Sequence, residues 1–142
     1  MTVLSPNEIA GLIYFVGGWG PLAASPSASQ RPPKDDPTRK ACEEWLDIAI
    51  AVCLAESGGD TTAKNPLSSA SGLWQILATL HADLIAQVSA ETASKYSLGV
   101  STPTIFNPFV NTEVAKRLYI SAGNSWRPWE VYNNGSYKSK RG

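Results

Sequence analysis

Chemistry in this chain concentrates on one carboxylate, Glu56, and on the helix that must carry it. Residues 46–55 are apolar except for Asp47. They are apolar nearly all the way round at the helical repeat, the pattern of a helix in the middle of a domain rather than on its surface. The run ends on Glu56, followed by Ser57, Gly58 and Gly59, and the glycine pair is a helix stop. An acid at the C-terminal end of a buried helix has its ionised form disfavoured twice, by partial desolvation and by the negative end of the helix dipole. Both raise its pKa towards what a general acid needs near neutral pH. The plainer alternative is an ordinary solvated glutamate in the last helical turn, and this stretch alone supports the two equally.

Composition narrows the classes. A chain of 142 residues that is 43% hydrophobic suits one domain, residues 1–142, with one core. Formal net charge is zero, so no strong field draws it to nucleic acid or to anionic membranes. The five tryptophans are platforms for flat ligands, sugar rings included, and equally good core material. Cys42 and Cys53 fall on one expected helix, roughly 16 Å apart along its axis and beyond disulfide reach. Two free thiols are expected, with Cys53 in the core. Residues 9–20 are an apolar run, but the first eight residues carry Glu8 and neither Lys nor Arg. The run therefore reads as a core helix rather than a signal peptide. No segment is long enough to span a membrane.

The elements that position Glu56 follow from local signals. Ser5 is a helix cap, Pro6 takes the first helical position, and Glu8 completes a capping box. Ile9, Leu12, Ile13 and Val16 form the apolar stripe, Gly17 and Gly18 end it, and Trp19 is expected to pack back on the core. Residues 21–37 hold five of the ten prolines and cannot form a regular helix or interior strand. They read as a surface loop at about residues 20–38, either a neutral insertion or a docking site. The central helix should run from near Thr38 to Glu56. The small polar residues that follow predict a loop or irregular hairpin. Residues 73–77 are expected to enter a new helix that continues, alone or as a pair of helices, to Val88, with helix and then turn over residues 89–101. Asn107 and Pro108 open the next helix, whose stripe is Val110, Val114, Leu118 and Ala122. The basic residues 138–142 read as frayed. The expected fold class is mainly α, helices around a buried central helix, with the little strand present confined to residues 58–72.

Four short stretches bear on function together. They are Ala55-Glu56-Ser57-Gly58-Gly59, Ser71-Gly72-Leu73-Trp74-Gln75-Ile76, Phe106-Asn107-Pro108-Phe109-Val110-Asn111 and Val131-Tyr132-Asn133-Asn134-Gly135. In this order they resemble the soluble lytic transglycosylase family of the lysozyme superfamily, especially its small phage-type domains. The family pattern is an E-S pair ending a buried helix, then G-L-(M/W)-Q, then an N-P helix start, then a (A/V)-Y-N-x-G turn. The Pro-rich stretch departs from the compact versions of the family.

The resemblance implies an α+β lysozyme-like fold and cleavage of the β-1,4 bond between N-acetylmuramic acid and N-acetylglucosamine in peptidoglycan. Glu56 matches the single catalytic acid. It would protonate the bridging oxygen and then act as base on the C6 hydroxyl, leaving a 1,6-anhydro ring. Gln75 matches a substrate-binding amide, with loop stabilisation the alternative. Trp74 would stack on sugar or pack in the core. Tyr132 matches a tyrosine whose hydroxyl can orient the acid. Asn133 would hold the turn or contact sugar, and Ser57 would cap the helix or hydrogen-bond near Glu56.

A second carboxylate, usual in glycosidases, is not obvious. Asp60 is the nearest candidate in the chain but is expected to face a polar loop, and Asp47 reads as structural. His81 has no metal-ligand partners at suitable spacing and reads as a surface residue. No cofactor is expected. The implied partners are peptidoglycan glycan strands and structural proteins of a phage or injection particle. The implied location is the virion or the extracellular cell wall. Two rivals stand beside this reading: a hydrolytic muramidase on the same fold, and a catalytically idle tail subunit.

Overall fold

Local capping sets the first helix. In a computed structural model describing residues 3–24, 39–96 and 104–142, helix α1 (Pro6–Val16) carries a complete capping box. The Glu8 N–H donates to Ser5 Oγ at 3.2 Å, and the Ser5 N–H donates to Glu8 Oε1 at 2.9 Å. Ile9 and Ile13 are fully buried, and Trp19 turns back into the core as expected. A 3-10 turn, Gly20–Ala24, follows. The rest of the Pro-rich loop, residues 25–38, lies outside the described residues.

Helix α2 (Arg39–Ser57) is the axis of the fold. Cys42, Leu46, Ala49, Ala51, Val52 and Cys53 are buried on it, and Ile48, Ile50 and Leu54 are partly buried against the same core. Both cysteines are buried, and no disulfide joins them. Packed on α2 are α1, the first 3-10 turn, the short helix α5 (Glu130–Asn133) and a C-terminal 3-10 turn (Ser136–Lys140).

Beyond α2 the chain makes a small hairpin. Strand β1 (Ala70–Ser71) runs antiparallel to β2 (Ile76–Leu77), and Lys64 adds a bridge to Ser71. Two expectations are corrected here. Residues 73–77 do not enter a helix, and strand structure extends past residue 72. Gly72 at φ +78° and Gln75 at φ +50° take left-handed backbone, which a right-handed helix cannot pass through. A five-residue apolar run has too little periodicity to tell strand from helix. Helix α3 (Ala82–Tyr96) begins only later, and residues 97–103 lie outside the described residues.

Helix α4 (Pro108–Ser121) opens on Asn107, whose Oδ1 accepts from the N–H groups of Phe109 at 2.9 Å and Val110 at 3.3 Å. Asn107→Ala is expected to cost about 1 kcal/mol, seen as a lower urea midpoint at unchanged slope. Arg117 ties α4 to α3, with Nη2 2.6 Å from Glu91 Oε2 and Nε 2.9 Å from Glu113 Oε2.

The core between these helices is aromatic. The Trp19 ring lies 5.4–5.9 Å from those of Trp45, Trp74, Tyr119 and Trp126. Trp74 stacks on Trp126 at 5.9 Å and 7°, and Trp129 sits 5.5 Å from Trp126. Such pairs add about 0.5–1.5 kcal/mol each beyond their buried area. All five tryptophans thus pack in or against the core. The basic tail is not frayed, because Asp47 on α2 receives it. Arg141 Nε donates to Asp47 Oδ2 at 2.8 Å and the Gly142 N–H to Oδ1 at 3.1 Å.

Candidate active site

Glu56 occupies the last turn of α2 and is half-buried. Among the described residues no hydrogen bond or ion pair reaches its carboxyl. Burial alone moves its pKa from 4.5 to about 7, which is not the behaviour of a freely solvated glutamate. One turn back, the fully buried Cys53 thiol donates to the Leu73 carbonyl at 3.7 Å, linking α2 to the hairpin. Burial, and secondarily the charge of Glu56, pushes the Cys53 pKa up. Ser57 serves as a cap: its Oγ donates to the Cys53 carbonyl at 3.3 Å and accepts from the Gly59 N–H at 3.2 Å.

The hairpin carries Gln75. Its Nε2 donates to the carbonyls of Ala63 at 3.1 Å and Gly72 at 2.9 Å. These bonds hold the residue in its left-handed conformation, uncommon for a side chain of this kind. Its Oε1 accepts no hydrogen bond among the described residues. The same side chain can therefore stabilise the loop through nitrogen and offer oxygen to a ligand.

Tyr132 and Asn133 sit on α5, which packs on α2. The Tyr132 ring stacks on Tyr137 at 4.9 Å and 24°. Among the described residues no hydrogen bond joins its hydroxyl to the Glu56 carboxyl. Asn133 Nδ2 donates to the Arg127 carbonyl at 2.9 Å and so holds the turn. Asp60 Oδ1 accepts from the N–H and the hydroxyl of Thr62, both at 2.8 Å, and these two bonds lower its pKa.

Residues 41–131 match the family described as a lysozyme-like domain. The chain belongs to this family. No curated protein and no solved structure matches it. The matched stretch takes in nearly all of α2, the hairpin, α3, α4 and the start of α5. A lysozyme-like domain is an enzyme of the peptidoglycan-degrading glycosidase or transglycosylase kind, with peptidoglycan as its substrate.

Of the two uses expected for Trp74 in this lysozyme-like domain, the structure selects core packing. No part of this residue is exposed, so its indole offers no face to a sugar. Its polar groups are all engaged. The Trp74 N–H donates to Asn111 Oδ1 at 2.7 Å, its Nε1 donates to Thr112 Oγ1 at 3.1 Å, and its carbonyl accepts from Trp129 Nε1 at 3.0 Å.

Asn111 is the residue that sequence reasoning missed. It is fully buried, and its Nδ2 also donates to the carbonyls of Ser71 at 3.0 Å and Ile105 at 2.9 Å. The available signal was a polar residue beside Val110 in the helical stripe. The lysozyme-like domain needs a glycine at position 72, since a Cβ there would lie 2.3 Å from Asn111 Nδ2.

A cavity of about 230 Å³ between α3, α4 and the end of α1, lined in part by Glu91, Lys95 and Arg117, does not include Glu56. Among the described residues no group of three His, Cys, Asp or Glu side chains could hold a metal ion. No described helix is long and apolar enough to cross a membrane.

Proposed function

We propose that this lysozyme-like domain is a lytic transglycosylase, which cleaves the β-1,4 bond between N-acetylmuramic acid and N-acetylglucosamine with Glu56 as its single acid and base. The observation that carries this reading is a half-buried carboxyl at the end of α2 whose pKa is about 7. Such a group is protonated on a useful fraction of molecules near neutrality and can also take a proton back. In the first step it protonates the bridging oxygen as the C1–O bond breaks. In the second it removes the proton from the C6 hydroxyl, whose oxygen closes on C1. The product is a 1,6-anhydro ring, and Glu56 ends protonated again.

The state of Asp60 favours this route over hydrolysis. A carboxylate already bonded twice by Thr62, with a lowered pKa, is a weak base for activating water. On this reading Gln75 Oε1 receives an N-acetyl N–H or a sugar hydroxyl, and Tyr132 and Asn133 border the strand. The motif resemblance supports a phage or tail-like particle as the carrier, acting on the wall from outside.

The test is digestion of purified sacculi by the parent protein and by Glu56→Gln, with muropeptides read by mass. Products lighter by one water, from the parent alone, are expected. Hydrated reducing ends would turn the reading to a muramidase. No release by a folded protein would leave a binding or assembly role. The first step needs Glu56 protonated, so the rate should fall as pH rises, through an apparent pKa near 7. A rate that is flat from pH 5 to 9 would remove Glu56 as the acid.

A further inference from the structure

The turn after Glu56 is held from outside residues 41–131. Val3 pairs with Asp60 in an antiparallel bridge, and the Leu4 N–H donates to the Gly59 carbonyl at 2.8 Å. The approach is close: a Cβ on Gly59 would lie 2.4 Å from the Leu4 oxygen, and Gly59 sits at φ +86°. Glycine is what allows the two segments to meet there. On the other side of the turn, the Gly59 N–H donates to Ser57 Oγ and the Asp60 N–H to the Ser57 carbonyl at 3.1 Å. A line of contacts thus runs from Leu4 through Gly59 to Ser57, the neighbour of Glu56. Leu4 is itself anchored. It packs partly buried on the core and directly precedes the Ser5 capping box of α1.

We propose that the main chain of Val3 and Leu4 is a positioning strap, which fixes the last turn of α2 so that the Glu56 carboxyl keeps the place its proton transfers require. The strap rests on the reading of Glu56 as the acid. Proton transfer tolerates little displacement, and a shift of about 1 Å can cost a hundredfold in rate. A helix end followed by two left-handed glycines has little local stiffness of its own. The titratable groups around the turn do not fix the carboxyl instead. Cys53 bonds to the hairpin, Asp60 bonds to Thr62, and Glu8 of α1 is held in its capping box.

Leu4→Pro deletes the N–H that reaches Gly59, whereas Leu4→Ala keeps it and loses only side chain. On soluble, uncross-linked glycan strands Leu4→Pro is expected to lower kcat about ten- to a hundredfold, with KM little changed. The alkaline limb of the rate should move to lower pH as water gains access to the carboxyl. Leu4→Ala, which keeps the main-chain bond to Gly59, should lose far less kcat than Leu4→Pro. Removal of residues 1–4, which leaves the Ser5 side chain as cap, should match Leu4→Pro, and circular dichroism reports whether each variant is folded. A folded Leu4→Pro or truncated protein with parental kcat and pH limb overturns the strap. So does a loss of kcat in Leu4→Ala equal to that in Leu4→Pro. Glu56→Gln is measured alongside: full activity there removes the acid itself, whereas an inactive Glu56→Gln beside active strap variants removes the strap alone.

Discussion

Glu56→Gln is expected to slow glycan cleavage by about 10²–10⁴-fold and, in the same protein, to raise stability above pH 7. Both effects have one cause. Burial raises the carboxyl pKa from 4.5 to about 7 in the folded state. Between those values the native protein holds a proton that the unfolded chain has released, so stability falls as pH rises through this window. Below the lower value both states are protonated and the penalty vanishes. Above pH 7 it is complete, at most about 3.4 kcal/mol and nearer 1–2 kcal/mol for a carboxyl that keeps some solvent. Glutamine has the same shape and no charge, so the stability difference between variant and parent should be near zero at about pH 4 and reach its plateau above about pH 7. Urea unfolding at three pH values measures it. A variant no more stable than the parent at about pH 8 would mean that the carboxyl is not desolvated.

Asn111→Ala is expected to cost about 3–5 kcal/mol, because it strands three buried partners at once, each worth roughly 1–3 kcal/mol when left unpaired. Those partners are the Trp74 N–H and the carbonyls of Ser71 and Ile105. Thr112→Val is the comparison. It removes only the acceptor for Trp74 Nε1 and should cost about 1 kcal/mol. The two will not add simply, since both grip one residue. The larger loss should appear at the site as well: β1 and the turn that presents Gln75 depend on Asn111, so KM for glycan strands should rise in Asn111→Ala at temperatures where it stays folded. Equal stability losses in the two variants would show that Asn111 is not the main clamp.

Signals that act within a few residues were legible. The Ser5–Glu8 box, the Asn107 cap, the extent of α2 and its glycine stop all depend on partners within one turn. The apolar circumference of residues 46–55 predicted a central helix, and α2 is one. Contacts across long stretches of chain were not legible. Residues 73–77 are a turn and strand because Trp74 is gripped by Asn111 and Thr112 on a helix far along the chain. The tail docks because Asp47 waits on α2, and charge counting cannot place that partner. The tryptophans had two uses by residue type, and only packing chose between them.

By itself, then, the sequence determined that an acid ends a buried helix, that a glycine turn follows it, and that four motifs stand in an order resembling one family. Tertiary structure decided how much water that acid keeps, which end of the Gln75 amide is bonded within the protein, and where the ring of Tyr132 is aligned. The reason is physical. Helix starts and stops are set by neighbours in the chain, whereas desolvation and hydrogen-bond satisfaction are sums over every group that folding brings close.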